Sequence, residues 1–218
     1  QLDLLNEEAV QRYLTEHQPT LILNAAAYTT VDKAEEEPLV ASRLNGGLPG
    51  QLAEYAQKNN AALIHYSSDY VYPGTGRKPF DEQADTGPLS VYGKTKLDGD
   101  NAISATGCQH WIFRTSWVYS ARGNNFMKTM LRLGKTKPEL KVVADQIGAP
   151  TPARLIAQVS LLAYIKNISA GTYHLAPREQ TSWQGFAQAI FTEWLARGNE
   201  LALTPETVHP INTKEYPT

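Results

Sequence analysis

Short apolar runs alternate with helical repeats of apolar residues along most of the chain. The spacing of Val10, Tyr13 and Leu14 predicts a helix from an N-cap at Asn6 to about His17. The same pattern predicts helices at 39–59, 91–105, 125–133, 153–165 and 182–196. Short apolar runs typical of buried strands lie at 20–24, 62–66, 111–114, 140–143 and 172–175.

This order of elements predicts the fold class. Strands separated by helices indicate βαβ units and a parallel sheet. We therefore expect an α/β protein with a Rossmann-like doubly wound sheet in residues 1–150 and a smaller α/β lobe in residues 151–218. Ligands of such sheets bind at the carboxyl ends of the strands, so the candidate functional residues lie in the loops after Asn24, Tyr66 and Arg114.

Composition excludes several classes of protein. The 218 residues include one cysteine, Cys108, so an internal disulfide or a thiolate zinc site is excluded and a reducing cytoplasm is expected. No apolar run approaches the roughly 18 residues of a membrane span. Lysines and arginines form no cluster dense enough to indicate nucleic-acid binding. The partners expected are therefore neither membranes nor nucleic acids.

Charge is divided unevenly between the two halves of the chain. Residues 1–109 carry 8 basic and 15 acidic side chains, whereas residues 110–218 carry 12 basic and 7 acidic ones. A basic half can attract a phosphate-bearing ligand. Ordinary solvated charge explains the same count equally well.

Tyr92, Lys96 and Ser68 form the strongest candidate for chemistry. Tyr92 and Lys96 are four residues apart, which places them on one face of a helix. A nearby ammonium would lower the pKa of a tyrosine from about 10 towards neutrality. Ser68, just after a predicted strand, would donate a hydrogen bond to the carbonyl oxygen that Tyr92 protonates. A surface helix with a half-buried tyrosine and a solvated lysine is the structural alternative.

A glycine-rich dinucleotide loop is not found in the sequence. Gly74-Thr-Gly76 is followed by Pro79 instead of a third glycine, and Gly46-Gly47 lies within a helical pattern. If the fold binds a dinucleotide, its phosphate loop does not lie in these residues.

Five motifs in order resemble the dTDP-4-dehydrorhamnose reductase family of extended short-chain dehydrogenases. They are NAAAYTTVDKAE at 24–35, SSDYVYPGTG at 67–76, VYGKTKLDG at 91–99, RTSWVY at 114–119 and DQIGAPT at 145–151. The resemblance implies reduction of the C4 keto group of dTDP-4-dehydro-L-rhamnose by NADPH or NADH, giving dTDP-L-rhamnose. A homodimer and a Mg²⁺ requirement are further expectations from the resemblance.

The resemblance also implies roles for individual residues. The catalytic group is Ser68, Tyr92 and Lys96, with Lys96 also holding the nicotinamide ribose. Beside Tyr92 and Lys96, the residues expected along the cofactor are Asp3, Leu4, Ala26, Ala27, Tyr28 and Thr29. Those expected at the sugar nucleotide are Ser68, Asp69 and Trp117, and no residue is expected to ligate a metal. Packing between side chains is the alternative for Trp117, and a turn or helix cap is the alternative for Asp69.

The family pattern extends beyond both ends of the sequence. Its first strand, glycine-rich turn, first helix and second strand, about 30 residues or more, should precede Asp3. We therefore expect a piece of a longer chain, and NADH and NADPH are not distinguished. Two other functions stay open: a regulatory subunit resembling the beta subunit of methionine adenosyltransferase, and a sugar-nucleotide epimerase or dehydratase.

Overall fold

The computed structural model describes residues 2–76 and 78–216. Its helices are α1 (Glu7–His17), α2 (Val31–Glu36), α3 (Pro38–Ser42), α4 (Leu48–Asn59), α5 (Val91–Thr106), α6 (Phe126–Gly134), α7 (Ala153–Ile165) and α8 (Trp183–Ala196). Its strands are β1 (Leu21–Asn24), β2 (Ala62–Ser68), β3 (Gln109–Thr115), β4 (Val118–Tyr119), β5 (Leu140–Val143), β6 (Ile147–Gly148), β7 (Thr151–Pro152), β8 (Gly171–His174), β9 (Thr181–Ser182) and β10 (Val208–Ile211). No helix in this described part is long and apolar enough to cross a lipid bilayer.

A parallel sheet with the strand order β1-β2-β3-β8 positions the candidate site. In β2 every residue except the half-buried Tyr66 is buried, as expected of a strand that is covered on both faces. The strands run in the same direction, and the register pairs Asn24 with His65 and Ser68 with Thr115. The carboxyl ends of β1, β2 and β3 therefore share one edge of the sheet.

The chain divides into two compact units. The first contains the residues up to Thr115 together with Ser160–Leu175, and so holds the parallel sheet. Its core is built from apolar side chains of α1, α4, α5 and the strands, among them Val10, Leu52, Leu63, Ile103 and Ile112. Since helix and strand residues contribute to one cluster, the helices are anchored to the sheet that carries the site.

The second unit contains Ser116–Val159 and the residues from Ala176 onward. It holds three two-stranded sheets, of which β5-β10 and β4-β7 are parallel and β6-β9 is antiparallel. Met130, Phe186, Ile190 and Phe191 form its core with residues from β5 and β10. This unit therefore has an apolar core of its own.

The α/β class with a parallel sheet is confirmed, and so is α1, whose N-cap Asn6 accepts a 2.9 Å hydrogen bond from the backbone N–H of Ala9. The strands predicted at 140–143 and 172–175 are present, but their sheet partners differ from the expectation. The predicted strand 172–175 is β8, which pairs with β3 in the main sheet instead of belonging to the second lobe. The predicted strand 140–143 is β5, which pairs with β10 outside that sheet.

The compact units also do not follow the predicted division at residue 150, because β8 returns the chain to the sheet of the first unit. The helix predicted at 39–59 is interrupted as well. A π-helical segment, Arg43–Gly47, separates α3 from α4. π-Helical turns are rare in proteins. Where they occur, they are frequently at functional sites.

Candidate active site

Ser68 is the last residue of β2, where the chain enters a 3₁₀ turn at Asp69–Val71. Its hydroxyl oxygen accepts a 3.1 Å hydrogen bond from the backbone N–H of Tyr70 and donates one of 3.0 Å to Asp69 Oδ1. Burial raises the pKa of Asp69, and the hydrogen bond from Ser68 opposes that shift. The turn thus holds a buried hydroxyl group at the carboxyl edge of the sheet.

Tyr92 lies in the first turn of α5, which packs directly against this 3₁₀ turn. The Ser90 side chain caps α5 by accepting a 3.1 Å hydrogen bond from the backbone N–H of Gly93. Gly93 lies so near the Tyr70 carbonyl oxygen that a Cβ atom would overlap it. This close approach holds the first turn of α5, which carries Tyr92, against the turn that follows Ser68.

Lys96 follows Tyr92 by one helical turn and is 1% exposed. Its Nζ donates a 2.7 Å hydrogen bond to the Tyr66 carbonyl oxygen and lies 3.3 Å from His65 Nε2. Burial lowers the pKa of Lys96 to about 8, while the charge of Asp100 acts in the opposite direction. At neutral pH the ammonium form is therefore still the main one.

The pKa of Tyr92 differs from the sequence expectation. Burial is the largest cause that raises it, to about 12. The hydrogen bond with Ser68 lowers it, whereas the charges of Asp69 and Asp100 raise it further. The direction is opposite to the shift towards neutrality that the Tyr92–Lys96 spacing predicted. A hydroxyl with this pKa stays protonated at neutral pH and suits a proton donor.

A buried polar network behind the site was missed by the sequence analysis. Asp100 Oδ2 accepts hydrogen bonds from Ser67 Oγ at 2.9 Å and from Arg114 Nε at 3.0 Å. Arg114 Nη1 donates to the hydroxyl of Tyr72 at 2.7 Å, and this hydroxyl lies 2.6 Å from His174 Nε2. The one sequence signal for this network was that Asp100 follows Lys96 by four residues, which is one helical turn. The partners come from separate strands and were not predictable locally.

The predicted cofactor loop Ala26, Ala27, Tyr28 and Thr29 follows β1 at the same edge of the sheet. Asn45, from the π-helical segment, fixes it: Asn45 Oδ1 accepts from the Tyr28 N–H at 2.8 Å, and Nδ2 donates to the Tyr28 carbonyl oxygen at 3.1 Å. Nδ2 also lies 3.2 Å from Thr95 Oγ1 on α5. Asn45 therefore connects the loop to the helix that carries Tyr92, and sequence analysis missed it because it lies in a helical pattern.

The other two predicted cofactor residues lie before α1. Leu4 is half-buried and packs against the core cluster that Ala26 also contacts. Asp3 is exposed, and its carboxylate accepts a 3.0 Å hydrogen bond from the backbone N–H of Leu5. The structure thus brings Leu4 and Ala26 to one cluster, whereas Asp3 is held in a local turn.

Trp117, the third predicted substrate residue, lies in the second unit. Its ring stacks on that of Trp183 with 3.5 Å between the centroids, and its φ of 45° is in the left-handed region that bulky residues rarely adopt. A Cβ atom on Gly148 would come within 2.5 Å of the indole. Packing inside the second unit is therefore one role of Trp117.

A metal site has no support in the described part of the chain. Residues 2–76 and 78–216 contain no group of three or more His, Cys, Asp or Glu side chains placed to hold a metal ion. The Mg²⁺ requirement expected from the resemblance therefore finds no ligand set in these residues.

Comparison with known proteins identifies the family. The model of the RmlD substrate binding domain matches residues 1–218. The chain belongs to the RmlD substrate binding domain family.

Three relatives of this chain are dTDP-4-dehydrorhamnose reductases. The dTDP-4-dehydrorhamnose reductase of Salmonella typhimurium is 45% identical over 220 residues, which cover 99% of this chain and 73% of the relative. The crystal structure of a dTDP-4-dehydrorhamnose reductase from Clostridium acetobutylicum has a TM-score of 0.88 at 39% identity, covering 99% of this chain and 74% of that one. A dTDP-4-dehydrorhamnose reductase from Bacillus anthracis, solved in complex with NADP, has the same TM-score at 36% identity and the same coverage.

Proposed function

We propose that this chain carries the catalytic residues of an NADPH-dependent dTDP-4-dehydrorhamnose reductase. Such an enzyme reduces the C4 keto group of dTDP-4-dehydro-L-rhamnose to the alcohol of dTDP-L-rhamnose. The relatives at 36–45% identity carry this description, which favours a reductase over a regulatory subunit or an epimerase. NADPH is chosen over NADH because the Bacillus anthracis relative was solved with NADP.

The observation that carries the proposal is the meeting of two hydroxyl groups at the edge of the sheet. Ser68 and Tyr92 come from the end of β2 and the first turn of α5, and hydrogen bonding from Ser68 is a cause that lowers the pKa of Tyr92. A ketone oxygen placed between them would accept a hydrogen bond from Tyr92, and a second one from Ser68 once the Ser68 hydrogen has rotated away from Asp69. Preplaced donors stabilise the negative charge that develops on this oxygen during reduction.

Reduction of the ketone requires a hydride and a proton, and we assign the proton transfer to Tyr92. A bound reduced nicotinamide supplies the hydride that forms the new C–H bond at C4. The hydroxyl of Tyr92 supplies the proton of the new O–H bond, and the phenolate left behind recovers a proton from solvent. Because burial raises the pKa of Tyr92 to about 12, this group is protonated before the reaction and returns to that state readily.

Lys96 supports this step through its charge. The phenolate formed on Tyr92 lies one helical turn from an ammonium group that is buried, where charge interactions are less screened than in water. Lys96 therefore stabilises the phenolate as it forms, even though the resting pKa of Tyr92 is high. We assign it this role together with a contact to the nicotinamide ribose.

The residues present fit the nicotinamide end of a dinucleotide. Lys96 uses two ammonium hydrogens on Tyr66 and His65, so its third can reach a ribose hydroxyl. The loop after β1 offers the small side chains of Ala26 and Ala27 where a flat ring must approach the backbone. We therefore assign Ala26, Ala27, Tyr28 and Thr29 to the cofactor.

For the sugar nucleotide we assign Ser68, Asp69 and Trp117. Ser68 has a single hydroxyl hydrogen, which Asp69 now accepts at 3.0 Å. Donation to a ketone oxygen requires that hydrogen to rotate away from Asp69, which a hydroxyl rotor can do. Asp69 then serves as the acceptor that fixes the Ser68 hydroxyl between turnovers.

Substitution of Tyr92 tests the proposal directly. Tyr92→Phe removes the proton donor and should lower kcat with dTDP-4-dehydro-L-rhamnose and NADPH by at least about 100-fold. Tyr13→Phe, on α1 and outside the site, is the matched control and should retain wild-type turnover. Near wild-type turnover by a folded Tyr92→Phe variant would contradict the assignment.

A further inference from the structure

The side chain behind Lys96 is His65, whose own hydrogen-bonding state has not yet been assigned. His65 is 0% exposed, in the middle of β2, and its two ring nitrogens face two different partners. Nε2 lies 3.3 Å from Lys96 Nζ, and Nδ1 lies 3.0 Å from the side-chain amide of Asn24. Asn24 is itself buried, so these contacts exclude solvent.

The chemistry of these three groups permits only certain arrangements of hydrogen atoms. An ammonium has three donors and no lone pair, so opposite a charged Lys96 the Nε2 atom must be an acceptor. A neutral imidazole then carries its hydrogen on Nδ1, and that hydrogen needs an acceptor on Asn24. Asn24 Nδ2, the atom that lies 3.0 Å away, is a donor. Rotation of the amide by 180° places Oδ1 there, where it can accept the hydrogen of His65 Nδ1.

We propose that His65 is a positioning residue for Lys96, held by Asn24 in the tautomer that carries its hydrogen on Nδ1. In this form His65 Nε2 and the Tyr66 carbonyl oxygen accept two of the three hydrogens of the ammonium. The tetrahedral geometry of Nζ then fixes the direction of the third hydrogen. Asn24, at the end of β1, thus acts through His65 on the direction in which Lys96 donates.

A second arrangement competes with this one. A neutral Lys96 could accept a hydrogen from Nε2–H and still donate to Tyr66, and Nδ1 would then accept from Asn24 Nδ2. Burial lowers the pKa of Lys96 to about 8, so the charged form is favoured about tenfold at pH 7. Burial and the charge of Lys96 hold the pKa of His65 well below its ordinary value, so the ring is neutral in either arrangement.

The tautomer can be measured without any activity. Long-range ¹H–¹⁵N correlations at pH 7 identify the protonated ring nitrogen of each of the five histidines, and the signals of His65 are those that disappear in His65→Gln. We expect hydrogen on Nδ1 and a lone pair on Nε2. Hydrogen on Nε2 would overturn the proposal, whether or not the chain proves to be a reductase.

The positioning role rests on the proposed function and is tested by rescue. His65→Leu removes the acceptor and should lower kcat about 10- to 100-fold, the effect of losing one hydrogen bond to a charged group, with the KM for the dTDP-sugar within about twofold of wild type. His65→Gln can place an amide oxygen near the position of Nε2 and should recover most of kcat. His110→Leu, on the neighbouring strand opposite Leu63, is the control and should keep wild-type kcat.

These measurements distinguish a positioning role of His65 from a role in packing alone. Equal losses in folded His65→Gln and His65→Leu, or a His65→Leu variant as active as wild type, would overturn the role. If both variants fail to fold, the tautomer in the wild-type protein decides, with the His65 signals identified as those left after the other four histidines are assigned by their own substitutions. A wild-type protein with the expected tautomer and no reductase activity would remove the proposed function but leave the Asn24–His65–Lys96 arrangement standing.

Discussion

Arg114 Nε donates a 3.0 Å hydrogen bond to Asp100 Oδ2, with side-chain exposures of 9% and 3%. Asp100 Oδ2 also accepts from Ser67, whereas Oδ1 is buried and has no hydrogen-bond partner among the described residues. One carboxylate oxygen therefore carries both contacts. Burial raises the pKa of Asp100, and the hydrogen bond from Ser67 and the charge of Arg114 oppose that shift.

Breaking this pair should destabilise the first unit. Asp100→Asn leaves the Arg114 guanidinium buried without a counter-charge, so the free energy of unfolding should fall by about 3–5 kcal/mol in urea denaturation. Adding Arg114→Met removes the stranded charge and should restore part of the loss. Lys33→Ala breaks an exposed ion pair with Glu37 and should leave the free energy of unfolding nearly unchanged. A double variant less stable than the sum of its two single changes would contradict this account.

The titration of Lys96 should make the free energy of unfolding increase as the pH rises above 8. Its pKa is about 8 in the folded chain against 10.5 for the ordinary group, so between these values the unfolded chain binds a proton that the folded chain does not. Unfolding thus becomes less favourable with rising pH. Relative to Lys96→Met, the wild type should gain about 2 kcal/mol of unfolding free energy from pH 7 to pH 9.5.

The comparison with Lys96→Met cancels the other titrating groups, which both proteins share. Lys58→Met, at the exposed end of α4, is the control for replacing a lysine by methionine outside the core. A difference between wild type and Lys96→Met that stays constant from pH 7 to pH 9.5 would show that the folded chain does not depress the pKa of Lys96.

Gly93 sets the distance between α5 and the turn after β2. Gly93→Ala places a Cβ atom against the Tyr70 carbonyl oxygen, so the first turn of α5 must move and carry Tyr92 away from Ser68. We expect a loss of about 1–3 kcal/mol in unfolding free energy and a fall in kcat of at least about tenfold. Gly47→Ala meets only the flexible Arg43 side chain and should change neither value strongly.

The order of strands and helices was predictable because apolar runs and helical spacing are local properties. The sheet partners of β8 and β5 were not, since a four-residue apolar run has the same pattern in either sheet. Ser68, Tyr92 and Lys96 were predicted from a motif and a spacing. The direction of the pKa shift of Tyr92 was not, because it depends on burial by the turn that packs on α5.

Asn45 and His65 escaped prediction for a different reason. An asparagine in a helical pattern and a histidine in an apolar strand are typical of solvated and core positions, and nothing nearby in sequence marks their partners. Asn45 contacts Tyr28, and His65 contacts Asn24, in each case across an intervening element. Such contacts become visible only in the folded chain.

Gly148 provides a test of the substrate role of Trp117. Gly148→Ala places a Cβ atom in the space of the indole, so Trp117 must shift from its stack on Trp183. If Trp117 contacts the sugar nucleotide, the KM for the dTDP-sugar should rise roughly tenfold while the KM for NADPH does not change. Tryptophan fluorescence would report the displaced ring.

The control for this change is Gly87→Ala, whose new Cβ would meet Pro73 at an ordinary contact distance of 3.6 Å. It should leave both KM values unaltered. A Gly148→Ala protein that loses stability but keeps the wild-type KM for the dTDP-sugar would limit Trp117 to packing within the second unit.

The π-helical segment Arg43–Gly47 has a consequence for how this gene can tolerate length changes. A π-turn holds one residue more than an α-turn, so an in-frame deletion of one codon here would convert the segment to a regular α-helix, keep the flanking helices in register and redirect the residues within the segment. Asn45 would then point away from the Tyr28 backbone, and the loop after β1 would lose its tie to α5. Such a deletion should therefore be selected against even though the flanking helices keep their register.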